Sequence, residues 1–116
     1  MNEVFDSKDD SNLEYTTYEN DPSIKMGLRD CINTDNFDAG VWTHSVGTSH
    51  DVEVDEIFVI LEGKGEVDIL DDNGIKVKTL ILSPGAFGCL KVGTKTEWRI
   101  QEPLKKVYVM PASSYN

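Results

Sequence analysis

The chain has 116 residues, enough for one domain with one core, and a formal net charge of −10 from 21 acidic and 11 basic residues. A field of this sign repels the phosphates of nucleic acids and anionic lipid surfaces, so both are excluded as expected partners. No apolar stretch approaches the roughly 20 residues that a bilayer-spanning helix needs. The N-terminus lacks the basic and apolar regions of a secretory signal, which predicts a cytoplasmic protein with reduced thiols.

Residues 1–23 are polar and carry seven acidic side chains against one basic side chain. They show no periodic apolar pattern, so we predict an irregular, flexible or loosely docked acidic arm. Val4, Phe5 and Leu13 are apolar and would anchor this arm to the core or to a partner subunit. The folded domain is predicted at residues 24–116, beginning with a short edge strand at residues 24–28.

From residue 40 onward the sequence predicts strand after strand and no helix. Residues 40–47 alternate, which places Trp42 and His44 on one face of a strand. Residues 57–61 are apolar at every position, as expected for a strand buried on both faces.

Turn signals separate these strands. Asn73-Gly74 lies between two apolar runs and predicts a hairpin, because both residues tolerate positive φ. Ser83-Pro84-Gly85 predicts a tight turn. Many short strands at this spacing indicate an all-β sandwich or barrel.

One stretch of the sequence, which begins at Glu56, is more informative than the rest. Glu56 begins an apolar run, six residues follow it, and Gly63 opens a Gly-x-Gly turn. This spacing resembles the first signature of the cupin family. Pro84-Gly85 fits the start of the second signature, and Lys91 stands where the second turn of the family has proline.

Residues 59–63 and 98–109 are similar to a branch of small cupins related to ureidoglycine aminohydrolase, many of them of unassigned function. The resemblance covers roughly residues 40–111 and leaves the arm unexplained. It implies a double-stranded β-helix of the jelly-roll type and a homodimer. It also implies nitrogen-rich small molecules such as ureides as the first ligands to try.

The metal ligands of a typical cupin are mostly missing. The His-x-His pair of the family would fall at His50 and Val52, or at Ser49 and Asp51, and the histidine of the second signature falls on Thr96. We therefore predict a cavity without a cofactor. The alternative is a divalent transition metal held by His44, His50 and Glu56, since imidazole and carboxylate suit such ions.

In the metal-free cavity Glu56 is the predicted catalytic residue, an inward carboxylate that takes or gives a proton. Burial would raise its pKa unless His44 or His50 pairs with it. Trp98 is expected to stack on a planar ligand. The predicted ligand-binding residues are His44, His50, Cys89, Thr96 and Trp98.

Two classes of function stay open. The chain is either an enzyme of the hydrolase or lyase kind, acting on a small polar nitrogen-containing metabolite, or a non-catalytic ligand-binding or structural dimer. Glu53 and its acidic neighbours are interpreted as a solvated loop, and Lys105-Lys106 as a solvated strand edge. Cys31 and Cys89 are interpreted as small buried apolar residues.

Overall fold

A computed structural model describes residues 2–112, which form eight antiparallel strands and no helix, and therefore no helix that could cross a membrane. The strands are β1 (Glu14–Tyr18), β2 (Asp21–Asn33), β3 (Phe37–His44), β4 (Gly47–Val52), β5 (Glu56–Leu70), β6 (Lys76–Leu82), β7 (Phe87–Leu90) and β8 (Lys95–Pro111). The predicted all-β jelly-roll class is confirmed.

The long strands β5 and β8 form the spine of the barrel. They pair from Ile57 opposite Val109 to Leu70 opposite Lys95. Between Ile60 and Gly65 the register shifts, and irregularities of this kind bend a strand. On one side of the bend β3, β2 and β1 extend from β8, and β7 pairs with β5. On the other side β4 pairs with β8 and β6 with β5, so the spine belongs to both halves of the barrel.

Gly63 lies at this bend with φ of +93°. A Cβ atom there would lie 2.2 Å from the backbone oxygen of Pro103 on β8. Both the backbone conformation and the close approach require glycine. The Gly-x-Gly of the sequence therefore marks the place where β5 passes from one half of the barrel to the other.

The core is formed where the inner faces of the two halves meet. Glu56, Phe58 and Ile60 point inward from β5, while the intervening Ile57 is 59% exposed and Val59 is also exposed. The prediction of a strand buried on both faces is therefore wrong, because only one face of β5 is covered by a second layer. The buried core cluster contains Phe58, Ile60, Val67, Leu82, Leu90, Trp98, Ile100 and Leu104.

The predicted hairpin joins β5 to β6, but its turn differs from the expected one. Gly74 has a positive φ of +79°, whereas Asn73 does not. The turn is closed by Asp71, whose carboxylate accepts from the backbone nitrogens of Asn73 and Ile75, both at 2.9 Å. A side-chain acceptor thus replaces one of the two positive-φ residues.

The structure differs from the expected irregular arm over residues 14–23. Residues 14–18 form β1, which pairs with β2, and β2 already begins at Asp21. Tyr15, Thr16 and Thr17 are β-formers, and the neighbouring edge of β2 offers them backbone partners. Residues 2–13 are without regular secondary structure, as predicted.

The arm lies against the outer face of the barrel. The Arg29 guanidinium donates to the backbone oxygens of Asp6 at 2.8 Å and Asp9 at 3.0 Å. It also lies 5.6 Å from the ring centroid of Phe5. One cation of β2 thereby holds the start of the arm.

A second cation holds the arm from β8. The Lys105 ammonium donates to the backbone oxygen of Ser7 at 3.1 Å and to the carboxylate of Asp10 at 2.7 Å. Lys105 is buried, so the prediction of a solvated strand edge is wrong for this residue. The arm itself supplies the cover that the sequence alone does not reveal.

Candidate functional site

A cavity of about 470 Å³ opens at one end of the barrel. Its walls are largely aromatic and apolar, and a few polar side chains come together among them. Small-molecule sites commonly have this composition. Its lining includes Tyr18, Trp42, Ser49, Glu53, Glu56, Trp98 and Lys106.

Glu56 and Lys106 form a buried ion pair in the cavity wall. Glu56 begins β5 and points inward, and both of its carboxylate oxygens accept from the Lys106 ammonium at 2.9 Å. Glu56 is 8% exposed and Lys106 is 4% exposed. The inward position of Glu56 agrees with the sequence, but its partner is this lysine and neither histidine. The prediction that Lys106 lies on a solvated edge is wrong.

Three aromatic rings surround the Lys106 ammonium. Its nitrogen lies 4.5 Å from the ring centroid of Trp42, 4.7 Å from Trp98 and 5.6 Å from Phe58. Ring faces attract a cation electrostatically. Together with Glu56 they offset part of the cost of removing an ammonium group from water.

Glu53 is a second buried carboxylate of the cavity. It follows β4, and its oxygen Oε2 accepts from the Thr96 hydroxyl at 2.6 Å and from Trp98 Nε1 at 3.1 Å. Burial raises the pKa of this carboxyl group above its usual value, although the two donors act in the opposite direction. The prediction of a solvated loop is therefore wrong for Glu53.

His44 is buried beside the cavity and bonded at both ring nitrogens. Nδ1 lies 2.5 Å from the backbone oxygen of Ser45, and Nε2 lies 2.8 Å from Ser49 Oγ. Burial lowers the pKa of the imidazole and so does the Lys106 ammonium, although the hydrogen bond to Ser45 acts in the opposite direction. Ser49 lines the cavity and is itself buried. Sequence reasoning assigned no role to this serine.

The other predicted site residues are spread over the barrel. His50 lies at the cavity rim, but its Nε2 is bonded to the Glu97 carboxylate at 2.9 Å. Thr96 is buried behind Glu53 and reaches the site through that carboxylate. Trp98 lines the cavity as expected.

Cys89 lies outside the cavity, because its position on β7 points away from the core. It is exposed, and Cys31 is half-buried, so the prediction of buried cysteines is wrong for Cys89. Cys89 borders a second depression of about 390 Å³, which Glu56 also borders from the other side.

The alternative metal site needs His44, His50 and Glu56 to converge on one point. Their side chains instead bind Ser49, Glu97 and Lys106, respectively. Within residues 2–112, no group of three His, Cys, Asp or Glu side chains is placed to hold a metal ion. The residues present therefore do not fit the metal centre of a typical cupin.

Glu53 and Lys106 were missed because no local pattern separates them from their neighbours. Asp51, Glu53 and Asp55 alternate with valines, and Lys105 precedes Lys106 directly. Charged residues are rarely buried unless they are paired. The pairing here joins residues about fifty positions apart, which a reading of single segments does not reveal.

Comparisons with known proteins agree with this fold. The model of the EutQ-like cupin domain family matches residues 33–108. The EutQ protein of Clostridium difficile superposes with a TM-score of 0.67 at 19% identity, over 90% of this chain and 80% of that one. A putative ethanolamine utilization protein of Salmonella typhimurium LT2 gives 0.62 at 21% identity, over 87% and 95%.

The polyketide cyclase RemF of Streptomyces resistomycificus superposes with a TM-score of 0.66 at 19% identity, over 97% of this chain and 80% of that one. Among curated proteins, none matches the chain. At these identities the likeness to solved structures shows the fold alone, and the finer resemblance to ureidoglycine aminohydrolase is not confirmed. The family match, however, covers well over half of the sequence, and the chain therefore belongs to the EutQ-like cupin family.

Proposed function

We propose that this chain binds a small, polar, nitrogen-containing metabolite of the ureide type in the cavity, and that Glu56 moves a proton on it. The supporting observation is that two carboxylates and one ammonium group share the wall of a single aromatic-lined cavity. A ureide offers N–H donors and a carbonyl acceptor in one plane. The carboxylates match the donors, and Lys106 matches the acceptor.

The contacts of Glu53 support the match between its carboxylate and the N–H donors of the ligand. Both hydrogen bonds described for its carboxyl group end on Oε2, from Thr96 and Trp98. The other oxygen is then available to a ligand in the cavity that Glu53 lines. A carboxyl group with a raised pKa can accept from a ligand N–H group when ionised or donate to a carbonyl when protonated.

In the proposed reaction Glu56 acts as the base. It takes a proton from a ligand nitrogen or from a water molecule, while Lys106 stabilises negative charge that develops on the ligand carbonyl oxygen. The two groups already lie in contact, so little reorganisation precedes the step. A hydrolase or a lyase would both use this arrangement.

The cavity is less suited to a small ammonium ligand. One of the similar structures belongs to a protein named for ethanolamine utilization. In this chain, however, the aromatic cage is already occupied by the Lys106 ammonium. A second cation would meet repulsion from the first.

Calorimetric titration with a panel of ureides tests the proposal, with alkylammonium salts as the comparison ligands. We expect the ureides to bind and the ammonium salts to bind much more weakly. Glu53→Gln should weaken binding, whereas His50→Gln, at the rim, serves as the matched control. Failure of every ureide to bind would contradict the proposal.

Ammonia release and ligand consumption then separate the two classes of function. An enzyme predicts that Glu56→Gln lowers turnover by about 100-fold or more while binding persists. Binding without turnover in the unmodified chain would support the alternative, a non-catalytic ligand-binding cupin.

A further inference from the structure

Ser49 and His44 form a hydrogen-bonded pair that the proposed function does not use. Ser49 Oγ lies 2.8 Å from His44 Nε2. Ser49 is 3% exposed and lines the cavity, and His44 is 1% exposed and lies behind it. A hydroxyl group with a base on one side and a ligand cavity on the other has the placement of a nucleophile.

The partner of the second ring nitrogen settles which way the hydrogen bond runs. Nδ1 of His44 lies 2.5 Å from the backbone oxygen of Ser45, and a carbonyl oxygen only accepts. Nδ1 therefore carries the hydrogen. In the neutral ring Nε2 then has a lone pair, which accepts from the Ser49 hydroxyl.

The surroundings of His44 favour the neutral ring. Burial lowers the pKa of the imidazole and so does the Lys106 ammonium, although the hydrogen bond to Ser45 acts in the opposite direction. The Trp42 ring packs edge-on against it, with the ring centroids 5.4 Å apart. The serine, the base and a third group that orients the base are thus all in place, the third group being a backbone carbonyl.

We propose that Ser49 is a nucleophile activated by His44, and that this site transfers the acyl group of a small ester or activated amide. The Tyr18 hydroxyl lies 3.1 Å from the backbone nitrogen of His50 and also accepts from Asn20 at 3.3 Å. With both bonds accepted, its own hydrogen can be donated to an oxygen in the cavity that Tyr18 also lines. Tyr18 is thereby placed to stabilise the oxyanion of the tetrahedral intermediate.

The step balances without a further reagent. Ser49 Oγ attacks the carbonyl carbon as its proton passes to His44 Nε2, and Nε2 then returns that proton to the departing alcohol or amine. The acyl group remains on Ser49. Attack by water, with His44 again taking and returning one proton, releases the carboxylic acid and restores the serine.

The test uses p-nitrophenyl acetate and the chain of 116 residues. We expect a burst of p-nitrophenolate of one equivalent per chain, and peptide mapping by mass spectrometry should place the acetyl group on Ser49. Ser49→Ala should abolish the burst, and His44→Gln should slow it by about 100-fold. Ser83→Ala, at the turn before β7, should react like the unmodified chain.

Exposed thiols, imidazoles and lysines also react with such esters, so Cys89→Ser and His50→Gln are the further controls. Acetyl groups found only on Cys89, His50 or lysines, with an unchanged rate for Ser49→Ala, would overturn the proposal. Mapping of the unmodified chain decides the matter even if a variant fails to fold. This inference does not depend on a ureide ligand, since the ester contains none, and either proposal can fail without the other.

Discussion

The Lys106 ammonium lies 2.9 Å from both carboxylate oxygens of Glu56, inside a cage of aromatic rings. Removing either partner leaves an uncompensated charge in the core. We expect Lys106→Met and Glu56→Gln each to lower the free energy of unfolding by about 3–5 kcal/mol. The double variant should lose much less than the sum of the two. Urea denaturation at neutral pH measures all four corners of the cycle.

A rescue experiment controls for simple loss of volume. Lys106→Ala removes the groups that propylammonium contains, so this ion should raise the melting temperature of the variant. Propan-1-ol of the same length should have much less effect, because ring faces and a carboxylate attract a cation. Equal rescue by the alcohol would show that the cage responds to volume and not to charge. Lys78→Ala, at an exposed position, should respond to neither.

The buried carboxyl group of Glu53 should make the stability of the folded protein depend on pH. Because burial raises its pKa above the ordinary value of 4.5, the folded state favours the protonated form. The stability that this preference contributes is fully present below pH 4.5 and is lost as the pH rises through the pKa of the folded state. Glu53→Gln keeps the acceptor for Thr96 and Trp98 but cannot ionise. Its unfolding free energy should therefore fall less between pH 4.5 and 7.5 than that of the unmodified chain, with Glu102→Gln as the exposed control.

The barrel can be predicted from the sequence because the signals for its strands and turns lie within short segments. Glu56 and Gly63 mark the start of β5 and its bend, and the turn at Ser83-Pro84-Gly85 leads into β7. The site is less predictable because its charges are joined across the barrel. Glu53 depends on Thr96 and Trp98, and Glu56 on Lys106, so which charges are buried is decided by pairing between distant strands.

The buried imidazole of His44 should make stability depend on pH in the direction opposite to that expected for Glu53. Burial lowers the pKa of its ring below 6.5, so the folded state favours neutral imidazole. The corresponding stability is present above pH 6.5 and is lost as the pH falls through the pKa of the folded state. His44→Gln should flatten the decline between pH 7 and pH 5 in urea titrations. His50→Gln is the control, and an unchanged slope in His44→Gln would contradict the assignment of a neutral ring.

Two variants test whether the contacts between the arm and Lys105 stabilise the fold. Deleting residues 2–10 removes Ser7 and Asp10, which bind the buried Lys105 ammonium. We expect the truncated chain to lose about 1–3 kcal/mol of unfolding free energy, because the charge-assisted hydrogen bonds from Lys105 to the arm are lost. In a Lys105→Met background the same truncation should cost less, because those bonds are already absent. If the truncation changes nothing, residues 2–10 are dispensable for the stability of the barrel.

The expected homodimer remains a prediction, and the outer face of β5 and β7 offers a place to test it. Ile57, Val59 and the 79% exposed Phe87 lie on that face, which the arm does not cover. Contiguous exposed apolar side chains of this kind commonly mark an interface between proteins. A second copy of the chain would bury them. We expect Phe87→Glu to halve the mass seen by sedimentation equilibrium, while Val77→Glu, at another exposed apolar position but on β6, leaves it unchanged. If the unmodified protein sediments with the mass of a single chain, the dimer is excluded.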